Sequence, residues 1–166
     1  MPLPVRLEDV VEVLEMVLGT DAGEAYVHRK TGEVIGFVHE EFGDTIEVAD
    51  DAPDWEKEIA ADRHRVEADD DFVQLPSKFD IHEYSIMQRF CLDQDDDRTR
   101  ERLLDAISGR GAFRYFKDTV RRLGIEQDWY RYRDDAIYGI AIDFLKDNEI
   151  SFVDERPAKA DSDAPG

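Results

Sequence analysis

The spacing of the apolar residues changes near residue 78, and this change constrains the fold more than any other feature. Before it, the β-prone runs 24–30 and 33–38 flank Thr31-Gly32, which predicts a hairpin. After it, apolar residues recur every three or four positions through four segments, which is typical of amphipathic helices. The sequence therefore predicts an α+β fold, with an N-terminal helix and a small antiparallel sheet or hairpin followed by a C-terminal bundle of about four helices.

Further elements are predicted on both sides of this change. A helical stripe runs from Leu7 to Leu18 and stops at Gly19, and a second helix is expected over 55–66 with Asp54 as its cap. Short strands are expected at Ile46 and Val48 within an acidic loop, at 72–76 and at 150–153. The four C-terminal helices are expected from Asp80 to Cys91, from Asp95 to Gly109, from Gly111 to Gly124 and from about Gln127 onward.

A chain of 166 residues suits one domain. We predict a single α+β domain over 1–155, β-rich over 1–78 and helical over 79–155, with a disordered acidic tail over 156–166. Cys91 is the only cysteine, which excludes an intramolecular disulfide and a Cys-rich zinc site. Its apolar neighbours predict a buried small hydrophobe rather than a reactive thiol.

The chain is strongly acidic, with 41 Asp and Glu against 21 Lys and Arg and a net charge of −20. One interpretation is a surface adapted to a salty, halophilic cytoplasm, and the other is a surface that imitates a polyanion or grips a basic partner. Because the acidic residues are spread over most of the chain, we favour the first.

The acidity has one exception, the segment 98–133. It carries ten Lys or Arg and five Asp or Glu, a net of +5 that leaves −25 for the remaining residues. Its centre, Ser108–Lys117, places a Gly-Arg-Gly turn before a helix start, where free backbone N–H groups favour an anion. The predicted contact residues of this corner are Gly109, Arg110, Gly111, Arg114, Lys117 and Arg121, whose four cations lie within about 60° of each other on a helix.

A structural interpretation competes with this one. Gly109 is then the glycine that ends one helix, Gly111 permits close packing, and the cations pair with the protein's own carboxylates. Nearby, aromatic and cationic residues alternate in the segment Trp129-Tyr130-Arg131-Tyr132-Arg133. Such a segment can stack on unpaired bases, or Trp129 and Tyr132 can pack into the core while Arg131 and Arg133 face outward.

Other chemistry finds little support in the sequence. The four histidines are scattered and no zinc-binding spacing is present, so we predict no metal site. No Walker or G-x-G-x-x-G motif and no convincing nucleophile–base pair is present, so neither a cofactor nor an enzyme is predicted. No export signal or apolar run of about 20 residues is present, which predicts a cytoplasmic protein without a membrane partner.

Several of these segments together resemble a known family. They are Thr31-Gly32-Glu33-Val34, the 72–76 strand, the helix through Phe90, the block Gly109–Asp118 (G-R-G-A-F-R-x-F-K-D with Tyr115 at x) and Trp129–Asp134. In this order they resemble a bacterial group, Uncharacterised Protein Family 0158. The resemblance implies a bacterial, cytosolic, single-domain protein, and it brings no activity and no catalytic residues.

Three functional hypotheses remain. The first is a non-catalytic binding or regulatory module that contacts nucleic acid or a phosphorylated ligand through the Gly109–Lys117 corner. The second is a protein–protein adaptor whose acidic half holds a basic partner. The third is an enzyme with a site dispersed across loops.

Overall fold

The computed structural model describes residues 2–20, 23–38 and 50–157. They form two compact units: unit 1 comprises Met1–Lys78 and Ala141–Gly166, and unit 2 comprises Phe79–Ile140. The predicted α+β class, with a helical C-terminal part, is confirmed. The predicted single domain stays a prediction. The strand expected at Ile46 and Val48 and most of the expected tail lie outside the described residues.

Unit 1 holds a three-stranded antiparallel sheet packed on a helix. Its elements are β1 (Val5–Arg6), α1 (Leu7–Leu18), β2 (Gly23–His28), β3 (Val34–Val38), α2 (Asp54–Ala68), β4 (Phe72–Gln74) and β5 (Phe152–Val153). The strand order is β3-β2-β4, with Tyr26 opposite Ile35 on one side and Gln74 on the other. The predicted hairpin is therefore confirmed, and Gly32 turns it at a φ of 74° that favours glycine.

The apolar stripe of α1 is buried as predicted, with Leu7, Val10 and Leu14 fully inaccessible to solvent. Helix α1 lies very close to β3: a Cβ atom on Gly36 would lie 2.5 Å from Cε of Met16. Glycine at this position lets the helix and the strand pack backbone to side chain.

The pairing of β1 with β5 is a feature that sequence reasoning only half found. These strands run parallel, with Val5 opposite Phe152 and Arg6 opposite Val153. Arg6 also forms an ion pair with Glu155 at 3.0 Å. The final strand was predicted, but β1 has only two residues, which is too short to show the alternation of apolar and polar residues that indicates a strand.

Two predicted helix caps are wrong. Helix α2 is capped by Pro53 without a side-chain hydrogen bond, and Asp54 is its first residue. The helix expected from Asp80 is two helices, α3 (Lys78–Ile81) and α4 (Glu83–Leu92). His82 separates them in the left-handed region at φ 51° and is the N-cap of α4, whereas Asp80 lies inside α3.

Unit 2 is built from helices, as predicted. After α4 come α5 (Asp97–Ala106), α6 (Ala112–Arg122) and α7 (Glu126–Asp147), whose last turns from Ala141 belong to unit 1. Its core includes an aromatic triangle in which the ring centres of Phe116 and Trp129 are 4.7 Å apart and each packs edge-on against Phe90.

Cys91 is fully buried beside this core, which confirms the predicted role. Burial raises the pKa of its thiol to about 11, so the thiolate that reactivity requires is scarce at neutral pH. In the part of the chain that the structure describes, no helix combines the length and the apolar character that crossing a bilayer requires.

Candidate anion-binding site

The turn between α5 and α6 positions the predicted corner. Helix α5 ends with Ile107 as its cap, and Gly111 precedes α6 as the N-cap. Gly111 has no side chain that could accept a hydrogen bond from the backbone N–H groups in the first turn of α6. The first N–H groups of α6 therefore keep the hydrogen-bonding capacity that attracts an anion to a helix start.

The two glycines of the corner have different roles. Gly111 takes a φ of 73°, and a Cβ there would lie 3.3 Å from the ring of Tyr115, so this position requires glycine. Gly109 is not in the left-handed region, and a Cβ there would have nothing within 4 Å. The interpretation of Gly109 as the glycine that ends α5 is wrong, because the residue after the Ile107 cap is Ser108.

Three cations of this corner, Arg114, Lys117 and Arg121, lie on α6, whereas Arg110 precedes the N-cap Gly111, so the prediction that all four share one helix is wrong for Arg110. We call the four together the α6 cationic face. All four side chains are exposed. Arg121 lies 3.5 Å from a carboxylate oxygen of Glu126, whereas the other three form no ion pair with any described residue. Neutralisation by the protein's own carboxylates therefore applies only to Arg121 within this set.

Some cations elsewhere in the described chain are paired. Arg63 contacts Glu24 at 2.8 Å, and Lys30 contacts Asp71 at 3.0 Å. Other exposed cations, among them Lys57, Arg98 and Arg131, also form no ion pair with a described residue, so the α6 cationic face differs from them in that its unpaired cations are close together in the sequence.

The second predicted segment is divided between core and surface. Trp129 is only 4% exposed and belongs to the aromatic triangle, so its ring is closed to a stacking base. Arg133 forms an ion pair with Glu83 at 2.8 Å, with both side chains mostly covered. Arg131 is exposed and forms no ion pair with the described residues.

A cleft of about 390 Å³ opens beside the α5–α6 turn. Its walls are Arg102, Asp105, Ala106, Ser108, Gly109, Arg110, Tyr115 and Thr119. Sequence reasoning found Gly109 and Arg110 but missed Arg102, Asp105 and Tyr115. Arg102 and Asp105 lie on α5, and the sequence alone does not indicate that their side chains face the same cleft as Arg110 and Tyr115.

A second polar cluster, in unit 1, joins His28, Asp69 and Asp71, whose ligand-type atoms lie within 4.8 Å of one another. Nδ1 of His28 accepts from the backbone N–H groups of Lys30 at 3.2 Å and Thr31 at 3.1 Å. Nε2 must then carry the proton, and it donates to Oδ2 of Asp69 across 2.9 Å. The backbone N–H of Asp71 and the His28 ring both donate to Asp69 and lower the pKa of its carboxyl.

This cluster does not suit a metal ion as it stands. A neutral imidazole has one ring lone pair, and that of His28 already receives two N–H groups. Since His28 is buried and Asp71 is paired with Lys30, the network fixes the hairpin turn against β4. Sequence reasoning missed it because the partners are about 40 positions apart.

Comparison with known proteins finds one family. The model of an uncharacterised protein family, UPF0158, matches residues 2–163. The curated UPF0158 protein PA5073 of Pseudomonas aeruginosa is 32% identical over 66 residues, which cover 39% of this chain and 43% of that protein. The matched region thus spans less than half the length of this relative. No solved structure is significantly similar to the chain.

Proposed function

We propose that this chain, which belongs to the uncharacterised protein family UPF0158, is a non-catalytic binding module. The name of the family states no activity, so the support for this proposal comes from the surface of the protein. Its partner is anionic, a nucleic acid or a phosphorylated ligand, and the contact is made by the α6 cationic face. The predicted absence of catalysis and the predicted cytoplasmic location remain predictions.

The observation that carries this proposal is the unpaired state of Arg110, Arg114 and Lys117. The chain has nearly twice as many acidic as basic residues, 41 against 21, so partners of opposite charge are abundant. Three neighbouring cations nevertheless remain exposed without one among the described residues. Such a group attracts anions through its field, and its binding to a polyanion is favoured by release of the counterions condensed on the phosphates.

The geometry of α6 suits a linear polyanion. Arg114, Lys117 and Arg121 share one face, and they cover about 10 Å of the helix axis at 1.5 Å per residue. Asp118 is the acidic residue of this helix; it lies four positions after Arg114 and three before Arg121, so it borders both, but it forms no ion pair with a described residue. The face can therefore meet two or three successive phosphates.

The net charge of −20 opposes this contact at long range. At about 0.1 M salt the Debye length is about 10 Å, so remote carboxylates are largely screened while cations in contact with phosphate still act. We therefore expect the clearest binding near this salt concentration.

The test compares two double variants that lose the same charge. One is Arg114→Gln with Lys117→Gln, and its matched control is Lys57→Gln with Arg98→Gln, two exposed cations outside the α6 cationic face. Affinity for a labelled 20-nucleotide oligonucleotide and for heparin is measured by fluorescence anisotropy at about 0.1 M salt. We expect roughly a tenfold or greater loss for the first variant and little change for the control. No binding of either polyanion by the wild type, or an equal loss in the control, overturns the proposal.

A second candidate partner is a basic peptide, favoured by a groove of about 400 Å³ in unit 1. Asp9, Glu12 and Glu33 line it together with Val13, Met16 and Val34. Asp9 and Glu33 already pair with Arg6 and Arg65, which weakens this candidate. Binding of a labelled oligolysine that Glu12→Gln reduces and Glu58→Gln does not would support it.

A further inference from the structure

We propose that the cleft beside α6 receives one base of a single-stranded nucleic acid, stacked on Tyr115, while the α6 cationic face holds the neighbouring phosphates. This inference rests on the proposed function and narrows its anionic partner to one class. It extends the proposed binding surface from the α6 cationic face to the neighbouring cleft, whose walls are not all cationic.

Tyr115 is placed as a stacking surface. Its ring is 58% exposed, and one edge lies over Gly111, with two ring carbons 3.3 and 3.5 Å from where a Cβ would be. Its hydroxyl makes no hydrogen bond to a described residue. The ring is thus supported from below by backbone and is open toward the cleft. Stacking of a base on such a ring strengthens binding about 5- to 150-fold.

The polar walls of the cleft favour a nucleotide over an isolated phosphate. Asp105 would repel a phosphate, but its carboxylate can accept from an N–H group of a base or from a ribose hydroxyl. Arg102 and Arg110 are exposed on the same walls without an ion pair to any described residue, so they are available to the adjacent phosphate. The volume of about 390 Å³ lies within the usual range for small-molecule sites.

The aromatic content of α6 points the same way. Phe113 is 45% exposed and lies one helical turn before Lys117, so α6 carries an exposed aromatic ring on each side of its cations. Exposed rings beside a cationic track are typical of proteins that bind single strands. A paired base within a duplex cannot enter the cleft, so we expect a preference for unpaired strands.

The experiment separates stacking from charge. The wild type, Tyr115→Leu, Tyr115→Phe and the matched control Tyr130→Leu are titrated with a labelled 20-nucleotide oligo(U), a duplex of equal length, and heparin. Leucine retains apolar bulk over Gly111 but removes the aromatic face, and Tyr130 is a similarly exposed tyrosine on α7. Circular dichroism establishes that each variant is folded.

We expect Tyr115→Leu to weaken oligo(U) binding about 5- to 150-fold. Tyr115→Phe and Tyr130→Leu should bind as the wild type does, and heparin binding should be unchanged in all three variants. Undiminished oligo(U) binding by Tyr115→Leu, equal loss of oligo(U) and heparin, or duplex bound as tightly as single strand, overturns this inference while the proposed function stands. A wild type that binds neither oligo(U) nor heparin overturns both.

Discussion

His28 donates from Nε2 to Oδ2 of Asp69 across 2.9 Å, and this hydrogen bond joins the end of β2 to the residue that follows α2. The other ring nitrogen accepts two backbone N–H groups of the hairpin turn. One buried side chain therefore satisfies groups from two separate parts of unit 1.

Replacing His28 with alanine should destabilise the protein by about 1–3 kcal/mol, because the turn N–H groups lose their acceptor and the Asp69 carboxylate loses one of its two donors. Urea unfolding at pH 7 measures the difference. His64 is an exposed histidine on α2, and His64→Ala should change the free energy of unfolding by less than about 0.5 kcal/mol. Equal effects of the two substitutions would contradict the role assigned to His28.

Asp96 caps α5, and its effect should depend on pH. The hydroxyl and backbone N–H of Thr99 donate to its carboxylate and lower its pKa. A lowered pKa in the folded state means that the stabilisation is present above the ordinary aspartate value of about 3.9 and is lost as pH falls through the folded value.

The stability difference between the wild type and Asp96→Ala should therefore be constant from pH 7 to about pH 5 and shrink below about pH 4. Chemical unfolding at several pH values gives this difference. Asp95→Ala, which removes the neighbouring exposed carboxylate, should leave the free energy of unfolding nearly unchanged. A difference that grows on acidification would contradict the assignment.

Gly111→Ala should destabilise the protein by about 1–2 kcal/mol, since alanine is strained at a φ of 73°. The same substitution at Gly109, where a Cβ meets nothing within 4 Å, should cost less than about 0.5 kcal/mol. Thermal unfolding of the two variants makes the comparison, and a larger loss at Gly109 would show that the turn is described wrongly.

Two phenylalanines on α6 should differ sharply. Phe116 is buried against Phe90 and Trp129, so Phe116→Ala should cost about 3–5 kcal/mol. Phe113 is 45% exposed, and Phe113→Ala should cost less than about 1 kcal/mol. Similar losses of unfolding free energy in the two variants would mean that α6 faces the core through another side.

The proposed function makes a quantitative prediction about salt. Each cation that neutralises a phosphate of a single strand contributes about 0.7 to the slope of log Kobs against log salt. Lys117→Gln should reduce the magnitude of the slope for oligo(U) by about this amount, measured from about 0.1 to 0.3 M salt. Lys57→Gln is the control and should leave the slope unchanged. An unchanged slope for Lys117→Gln would show that Lys117 does not contact a phosphate.

The helices and the hairpin were predictable because their signals are local. The α1 stripe and the Thr31-Gly32 turn each lie within a few consecutive residues, and the structure places each as expected. The break at His82 was not predictable, because the residues around it continue a helical pattern and a left-handed histidine has no sequence signal.

The candidate site divides in the same way. The cations of α6 follow from helical spacing, and their exposure agrees with it. Their lack of partners, the burial of Trp129 and the contribution of Asp105 to the cleft depend on which helices meet in unit 2. Spacing along one helix cannot supply that information.

The parallel pairing of Val5 with Phe152 affects the order in which the two units can fold while the chain is being synthesised. Unit 2 is one continuous stretch, Phe79–Ile140, whereas unit 1 draws on residues from both sides of it. A ribosome delivers β5 only after all of unit 2 has emerged, so β1 waits for its partner through most of synthesis. We expect helical structure of unit 2 to appear on nascent chains before β1 and β5 join, and protease protection of chains stalled at successive lengths would reveal that sequence of events.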